Sequence, residues 1–316
     1  MSRSCVGNNA NCEIRGLVSA LPGKIVSMIQ RPIFIIGCNR SGTTLLFRNL
    51  SEHPDLWSLY VEAQPIFHAR FPIDPELGER VPGPVDPALA AGIREDLYRQ
   101  AHNKEAFLDR FALGRIPPKL VQRPLNRLYK PDSIRLVEKT PANSLRIPFL
   151  IEAFRDARFI YVVRRGEAVV SSLMEGWKTW NRVPEGGTWT YSKWHYLVPP
   201  GWQEFVDRPL EEICAHQWIE SNRLAREDLD RLAANRYLLV RHEDLIADPS
   251  TNYARILEFC ELRDSEYFST VIDRANEKKY TTGGSAPKKE KWRSLHAKEI
   301  ERVRHQLASI NRLYYS

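Results

Sequence analysis

The sequence is poor in the features that mark secreted, metal-binding and membrane-spanning proteins. It has five cysteines among 316 residues, and no two of them have CxxC spacing. An odd number of scattered cysteines argues against a disulfide framework or a zinc site and favours a reducing compartment. No apolar run approaches the roughly 20 residues that a membrane span needs. Residues 1–30 also lack the pattern of a signal peptide. The sequence therefore predicts a cytoplasmic protein without a membrane span, and it leaves the oligomeric state open.

The charge balance excludes little by itself. Hydrophobic residues make up 43% and charged residues 27% of the chain, which are ordinary globular values. The 46 basic residues exceed the 39 acidic ones, so the formal net charge is +7. This excess suits nucleic acid, an anionic membrane or an anionic small molecule. Because the basic residues are dispersed, nucleic-acid binding is not predicted, and a non-enzymatic polyanion-binding protein stays as an alternative only.

Short apolar runs alternate with segments of helical length. Buried strands are predicted at 32–37, 158–163 and 237–240, with weaker ones at 56–61 and 134–137. Helices are predicted at 43–52, 87–101, 104–113, 143–154, 166–177, 209–234 and 251–260. This alternation predicts a three-layer α/β fold, with a central parallel sheet, helices on both faces and a P-loop NTPase-like arrangement.

Two of the segments that interrupt the alternation have a distinctive composition. Residues 71–87 contain five prolines, which predict a loop. Residues 177–205 are rich in aromatic rings and are expected to form a cap that recognises an acceptor. The alternative for most of these rings is ordinary core packing.

A glycine turn follows the first predicted strand and opens a helix. Residues 37–44 read GCNRSGTT, with Gly37 and Gly42 five positions apart, so backbone N–H groups at the helix start can face one anion. Thr43 occupies the place of the P-loop lysine, and the cation is Arg40 instead. A P-loop kinase or NTPase is therefore retained only as an alternative.

A second anion-binding pattern follows the strand at 158–163. Arg164 stands at its carboxyl end, and Ser172 lies eight residues further along the next helix. An arginine at a strand end and a serine from the following helix could hold a second phosphate between them.

The segment 34–46, FIIGCNRSGTTLL, resembles the 5′-phosphosulfate loop of sulfotransferases that use 3′-phosphoadenosine 5′-phosphosulfate (PAPS). Its RSGTT sequence is similar to the loop sequence of the family branch that includes tyrosylprotein sulfotransferases and bacterial relatives. The resemblance implies transfer of a sulfuryl group from PAPS to a hydroxyl of a small molecule, glycan or lipid rather than a protein tyrosine. The product is adenosine 3′,5′-bisphosphate, and no metal is expected. It also implies one sulfotransferase domain over 31–316, after an extension at 1–30.

Further segments extend this resemblance along the chain. Residues 239–245, LVRHEDL, are similar to the family's VRYEDL, with His242 in place of tyrosine, and residues 288–293 resemble its C-terminal Lys-Trp segment. Within the strand-to-helix motif, Arg164 and Ser172 match by spacing, rather than Arg165 and Ser171. The resemblance assigns the donor site to these residues: Arg40, Ser41, Gly42, Thr43, Thr44, Arg164, Ser172, Lys291 and Trp292.

The same resemblance implies the catalytic groups. Arg40 and Lys139 are expected to stabilise the leaving phosphate, and Glu62 is expected to act as the base that accepts the acceptor's proton. Cytosolic small-molecule sulfotransferases use a histidine instead. His68, His195 and His216 are the rivals of Glu62, although none lies in a matching motif.

Overall fold

A computed structural model of the protein describes residues 28–59, 61–101, 133–179, 194–277 and 290–315. Its strands are β1 (Ile33–Ile36), β2 (Val137–Glu138), β3 (Arg158–Val163) and β4 (Tyr237–Arg241). All pair in parallel, in the order β2-β1-β3-β4. The three stronger strand predictions are confirmed to within one residue at each end.

The two weaker strand predictions have different outcomes. The segment 134–137 leads into β2, and Ile134 makes a separate bridge to Ile29. The strand predicted at 56–61 is wrong, because among the described residues only Trp57 pairs, in a single bridge to Leu136. The chain then leaves the sheet, since the N–H of Ala63 donates to the Thr140 side chain at 2.9 Å and not to a strand.

Helices surround the sheet. They are α1 (Thr43–Leu50), α2 (Gln64–Arg70), α3 (Pro87–Ala101), α4 (Ile147–Ala153), α5 (Gly166–Thr179), α6 (Leu210–Leu229), α7 (His242–Ala247), α8 (Pro249–Cys260), α9 (Glu266–Glu277), α10 (Trp292–Leu295) and α11 (Ala297–Tyr314). The predictions for α1, α3, α5 and α8 are confirmed within two residues at each end. The helix predicted at 104–113 lies outside the described residues.

Two predicted helices differ from the structure. The one at 143–154 is divided into a 3-10 turn (Pro141–Leu145) and α4, because Pro148 lacks the N–H needed in a helix interior and fits only the first turn. The helix predicted at 209–234 ends at Leu229, and a 3-10 turn (Ala234–Arg236) leads into β4.

The sheet separates two apolar layers. On β1, Phe34 and Ile36 belong to the layer that also contains buried residues of α4, α5, α6 and α11. The alternate residues Ile33 and Ile35 belong to the layer with buried residues of α1, α8 and α9. This confirms the predicted three-layer α/β architecture. Among the described residues, no helix has the length and apolarity to cross a bilayer.

A buried carboxylate fastens the proline-rich loop, which occupies 71–86 before α3 begins at Pro87. Oε1 of Glu79 accepts from Nε2 of His68 at 2.7 Å and from Nη2 of Arg146 at 3.1 Å. Oε2 accepts from the N–H of Val198 at 2.9 Å. The loop is therefore tied both to α2 and to the end of the aromatic segment.

Candidate active site

The carboxyl edge of the sheet forms the frame of the site. From β1 the chain continues to β2 on one side, whereas from β3 it continues to β4 on the other. Ligands of open parallel sheets bind in the crevice that such a switch point leaves between adjacent strands. The loop 37–42, Lys139, Arg164 and His242 each follow one of the four strands, so they share this edge.

Both glycines of the loop after β1 are required by close packing. Gly37 has a φ of 145°, and a Cβ there would lie 2.3 Å from the carbonyl oxygen of Val162 on β3. Gly42 has a φ of 99°, and a Cβ there would lie 2.2 Å from Nδ1 of His242. The loop therefore wraps against the ends of both β3 and β4.

The start of α1 fits an anionic ligand. Gly42 is the N-cap, and the amides of Thr43 and Thr44 have no intrahelical acceptor. The hydroxyl of Ser41 is buried and finds no hydrogen-bond partner among the described residues. Because a buried hydroxyl without a partner is costly, an acceptor between Ser41 and the helix start would satisfy several groups together.

Two arginines join the loops that follow β1 and β3. Nε of Arg40 donates to the Ser172 hydroxyl at 2.9 Å, and Nη1 of Arg164 donates to the Arg40 carbonyl at 3.0 Å. Burial lowers the pKa of Arg164, with Glu243 opposing and Arg40 adding to the shift. A guanidinium stays charged at neutral pH, so the two cations repel each other and an anion between them would offset that repulsion.

The two neighbouring serines of α5 have different surroundings. Ser172 faces Arg40, whereas the hydroxyl of Ser171 lies 2.8 Å from Nδ1 of the buried His296. The structure thus places Ser172, and not Ser171, beside the predicted anion site. Lys291 precedes α10 and Trp292 begins it, and α10 packs against α5. The C-terminal segment is therefore brought to the helix that carries Ser172.

Glu62 and Lys139 form an ion pair, although 77 positions separate them in the sequence. Lys139 follows β2 and is buried, while 45% of the Glu62 side chain is exposed. Glu62 is therefore accessible to a ligand entering from solvent, and Lys139 lies behind it at the sheet edge.

Glu138 is a further carboxylate at this position, and sequence reasoning did not select it. It is buried and accepts hydrogen bonds from the Thr140 hydroxyl at 2.5 Å, Nδ2 of Asn143 at 2.5 Å and the N–H of Ala63 at 3.3 Å. Burial raises the pKa of Glu138 to about 7, although the hydrogen bonds from Thr140 and Ala63 and the charge of Lys139 act to lower it. The sequence shows that Glu138 directly precedes Lys139 at a strand end. Its burial, however, depends on tertiary packing.

The rival histidines are engaged in other contacts. His68 bonds to the buried Glu79. His216 lies 3.0 Å from the Pro200 carbonyl and stacks on Phe205 with ring centroids 4.0 Å apart. The ring of His195 meets Trp177 edge-on at 5.0 Å. Glu62, by contrast, pairs with Lys139 at the sheet edge.

His242, which follows β4, packs against Gly42 and borders the site on that side. Burial, with a smaller contribution from the charge of Arg164, lowers the pKa of His242 to about 3, so the ring is neutral at neutral pH. The next residue, Glu243, accepts from the N–H of Arg165 at 3.1 Å and from the Tyr315 hydroxyl at 2.7 Å. These bonds fix α7 against the turn that contains Arg164.

The aromatic segment packs on itself and also contacts the loop after β1. Its residues 180–193 lie outside the described residues. Trp177 and Trp202 both pack edge-on against the buried Trp194, with centroids 5.6 and 5.5 Å from it, as the packing alternative predicts. Further along, the N–H of Leu197 donates to Oδ1 of Asn39 at 3.3 Å. The segment is thus docked onto the loop after β1.

Replacing Gly42 by alanine is expected to weaken anion binding. A left-handed φ costs an alanine about 1–2 kcal/mol, and its Cβ would overlap His242. The measurement is calorimetric titration with adenosine 3′,5′-bisphosphate. The control is His242→Ala, alone and combined with Gly42→Ala, which removes the overlap but leaves the strained φ. Wild-type affinity in Gly42→Ala would contradict the close packing of this loop.

Comparison with known proteins gives one family. A model described as "Sulfotransferase family" matches residues 32–266. Among curated proteins, the omega-hydroxy-beta-dihydromenaquinone-9 sulfotransferase Stf3 of Mycobacterium tuberculosis is 26% identical over 133 residues. That alignment covers 42% of this chain and 30% of the relative, so the chain matches less than a third of the relative's length.

Solved sulfotransferase structures are also similar. The sulfotransferase domain from the curacin biosynthetic pathway matches with a TM-score of 0.47 and 18% identity, over 89% of this chain and 99% of that domain. Mouse sulfotransferase SULT7A1 complexed with PAP matches with a TM-score of 0.48 and 14% identity, over 93% of this chain and 88% of the mouse chain.

Proposed function

The chain belongs to the sulfotransferase family, and we propose that it transfers a sulfuryl group from PAPS to a hydroxyl of an acceptor. The observation that carries the proposal is the convergence of Arg40, Arg164 and Ser172 at the switch point of the sheet. A donor with separate 5′ and 3′ anionic groups requires cationic and hydroxyl ligands from two loops, and this edge supplies both.

The residues of the edge fit the two ends of PAPS. The start of α1, with the unpartnered Ser41 hydroxyl, and Arg40 would hold the 5′-phosphosulfate. Arg164 and Ser172 would hold the 3′-phosphate. Lys291 and Trp292 would cover the nucleotide from α10. The proposal treats residues 31–316 as one catalytic domain.

PAPS supplies an activated sulfuryl group on its 5′-phosphate. In the transfer, a sulfur–oxygen bond to the acceptor forms, the bond to the phosphate breaks, and adenosine 3′,5′-bisphosphate leaves. Glu62 accepts the proton that the acceptor hydroxyl loses, while Lys139 and Arg40 stabilise charge on the leaving phosphate. Because protonation removes the charge of Glu62, it releases Lys139 from the ion pair when the phosphate needs a cation.

The acceptor is proposed to combine a hydroxyl with an apolar portion. Val61, adjacent to Glu62, and Leu77 in the proline-rich loop each expose 40% of their surface. The name of the mycobacterial relative specifies an omega-hydroxylated menaquinone derivative. Both observations favour a small molecule or lipid alcohol over a protein tyrosine. The cytoplasmic location stays a prediction.

The test compares ligands and then turnover. We expect adenosine 3′,5′-bisphosphate to bind about 10-fold or more tighter than AMP, because each charged hydrogen bond contributes about 1.5–3 kcal/mol. Transfer of labelled sulfate from PAPS to hydroxyl acceptors should then be observed. Tighter binding and hydrolysis of ATP with magnesium would instead support a P-loop NTPase. Equal affinity for the two nucleotides, with no contribution from the 3′-phosphate, is expected of a polyanion-binding protein and would also refute the proposal.

A further inference from the structure

We propose that Glu138 is a positioning residue for Glu62: a second, buried carboxylate that acts on Lys139 together with Glu62 and, when ionised, makes Glu62 a stronger base. The inference rests on the proposed sulfuryl transfer with Glu62 as base. It concerns a group that does not touch the reacting atoms, since Glu138 is 1% exposed while Glu62 is open to solvent.

The geometry ties Glu138 to the base. Oε1 of Glu138 accepts from the N–H of Ala63, the residue after Glu62, at 3.3 Å, and the Thr140 hydroxyl binds both groups. Lys139 is adjacent in sequence and pairs with Glu62. Two carboxylates and one ammonium therefore form one electrostatic unit, in which the negative charges of Glu138 and Glu62 repel each other and Lys139 attracts Glu138.

The surroundings accommodate both protonation states of Glu138. In the structure Oε2 accepts from Nδ2 of Asn143 at 2.5 Å, while Oδ1 of Asn143 is buried without a hydrogen-bond partner among the described residues. Rotation of that amide by about 180° would turn Oδ1 toward Oε2, where it accepts a hydrogen bond from the O–H of the neutral acid. A buried carboxyl that can alternate in this way can titrate without opening the fold.

The charged groups that act on Glu138 come from three elements. The ammonium of Lys139 favours its ionised form and the carboxylate of Glu62 opposes it. The guanidinium of Arg146, at the end of the 3-10 turn, interacts with both Glu138 and Glu79. Burial is the largest influence and raises the pKa of Glu138 to about 7, so the group changes charge in the physiological range.

The pH dependence of kcat provides the first test. As the pH rises through about 7, Glu138 ionises and strengthens the base, so wild-type kcat should increase about two- to tenfold. Glu138→Gln keeps the shape and can donate to the rotated Asn143, but it does not titrate. Its kcat should stay near the low-pH value of the wild type, without the step. Thr140→Val removes a bond that favours the ionised form, so the step should move to higher pH.

Thermal unfolding of the full chain tests the titration without turnover. The carboxyl pKa rises from 4.5 to about 7 on folding, so its stabilising contribution is complete below pH 4.5 and is lost as the pH rises through 7. The Tm of Glu138→Gln relative to wild type should therefore increase between pH 5 and 8.

The two readouts separate the outcomes. A Tm difference that does not change with pH, or a kcat step retained in Glu138→Gln, would overturn the role of Glu138 alone. If Glu138→Gln fails to fold, the direction of the Thr140→Val shift decides, and an unmoved step overturns the inference. Absence of any transfer by the wild type would remove the proposed function, and this inference with it.

Discussion

Replacing Glu62 by glutamine is expected to lower kcat for sulfuryl transfer by about 100- to 10,000-fold, the usual range for loss of a general base. The amide preserves the shape of the side chain but cannot accept the proton of the acceptor hydroxyl. Glu62 pairs with Lys139 and is not among the residues proposed to hold the nucleotide, so affinity for adenosine 3′,5′-bisphosphate should change little. The measurement is steady-state transfer of labelled sulfate together with calorimetric titration.

Glu76→Gln is the matched control for this variant. Glu76 is exposed, lies in the proline-rich loop and undergoes the same change of charge. Its kcat should equal that of the wild type. A Glu62→Gln enzyme with wild-type kcat would show that another group accepts the proton, and His195 would become the next residue to test.

Removing either arginine of the proposed donor site is expected to weaken binding of adenosine 3′,5′-bisphosphate by about 10- to 150-fold, or about 1.5–3 kcal/mol. Arg40→Ala removes the cation inside the loop, and Arg164→Ala removes the cation that also holds the Arg40 carbonyl. Because the Arg164 side chain holds the backbone carbonyl of Arg40, the double variant should lose less than the sum of the single losses. Titration of all three variants measures this coupling.

Arg165→Ala is the control for net charge. Arg165 adjoins Arg164 but is exposed and stacks on the Tyr315 ring at 4.4 Å. It should retain wild-type affinity, apart from a small effect that disappears at high salt. Equal losses in Arg164→Ala and Arg165→Ala would show that general attraction, and not a defined site, accounts for binding. Undiminished affinity in both Arg40→Ala and Arg164→Ala would refute the donor site itself.

Local pattern was sufficient to predict most of the sheet and several of the helices. The runs that form β1, β3 and β4 are apolar on consecutive positions because both faces of the sheet are covered. The helix α11 was missed, although its buried residues Ile300, Val303, Leu307 and Ile310 have helical spacing. Charged residues between these positions make the apolar stripe hard to recognise in the sequence. Its burial depends on packing against α5 and α6.

The sequence by itself determined the loop after β1, because glycine spacing and a strand-to-helix transition are local properties of the chain. It also determined the order of the motifs along the chain and the resemblance they carry. Only the tertiary structure decided which distant side chains meet: Arg40 with Ser172, and Glu62 with Lys139. It alone placed Glu138 in a site that raises its pKa, because burial and the electrostatic surroundings of a carboxylate come from residues far away in the sequence.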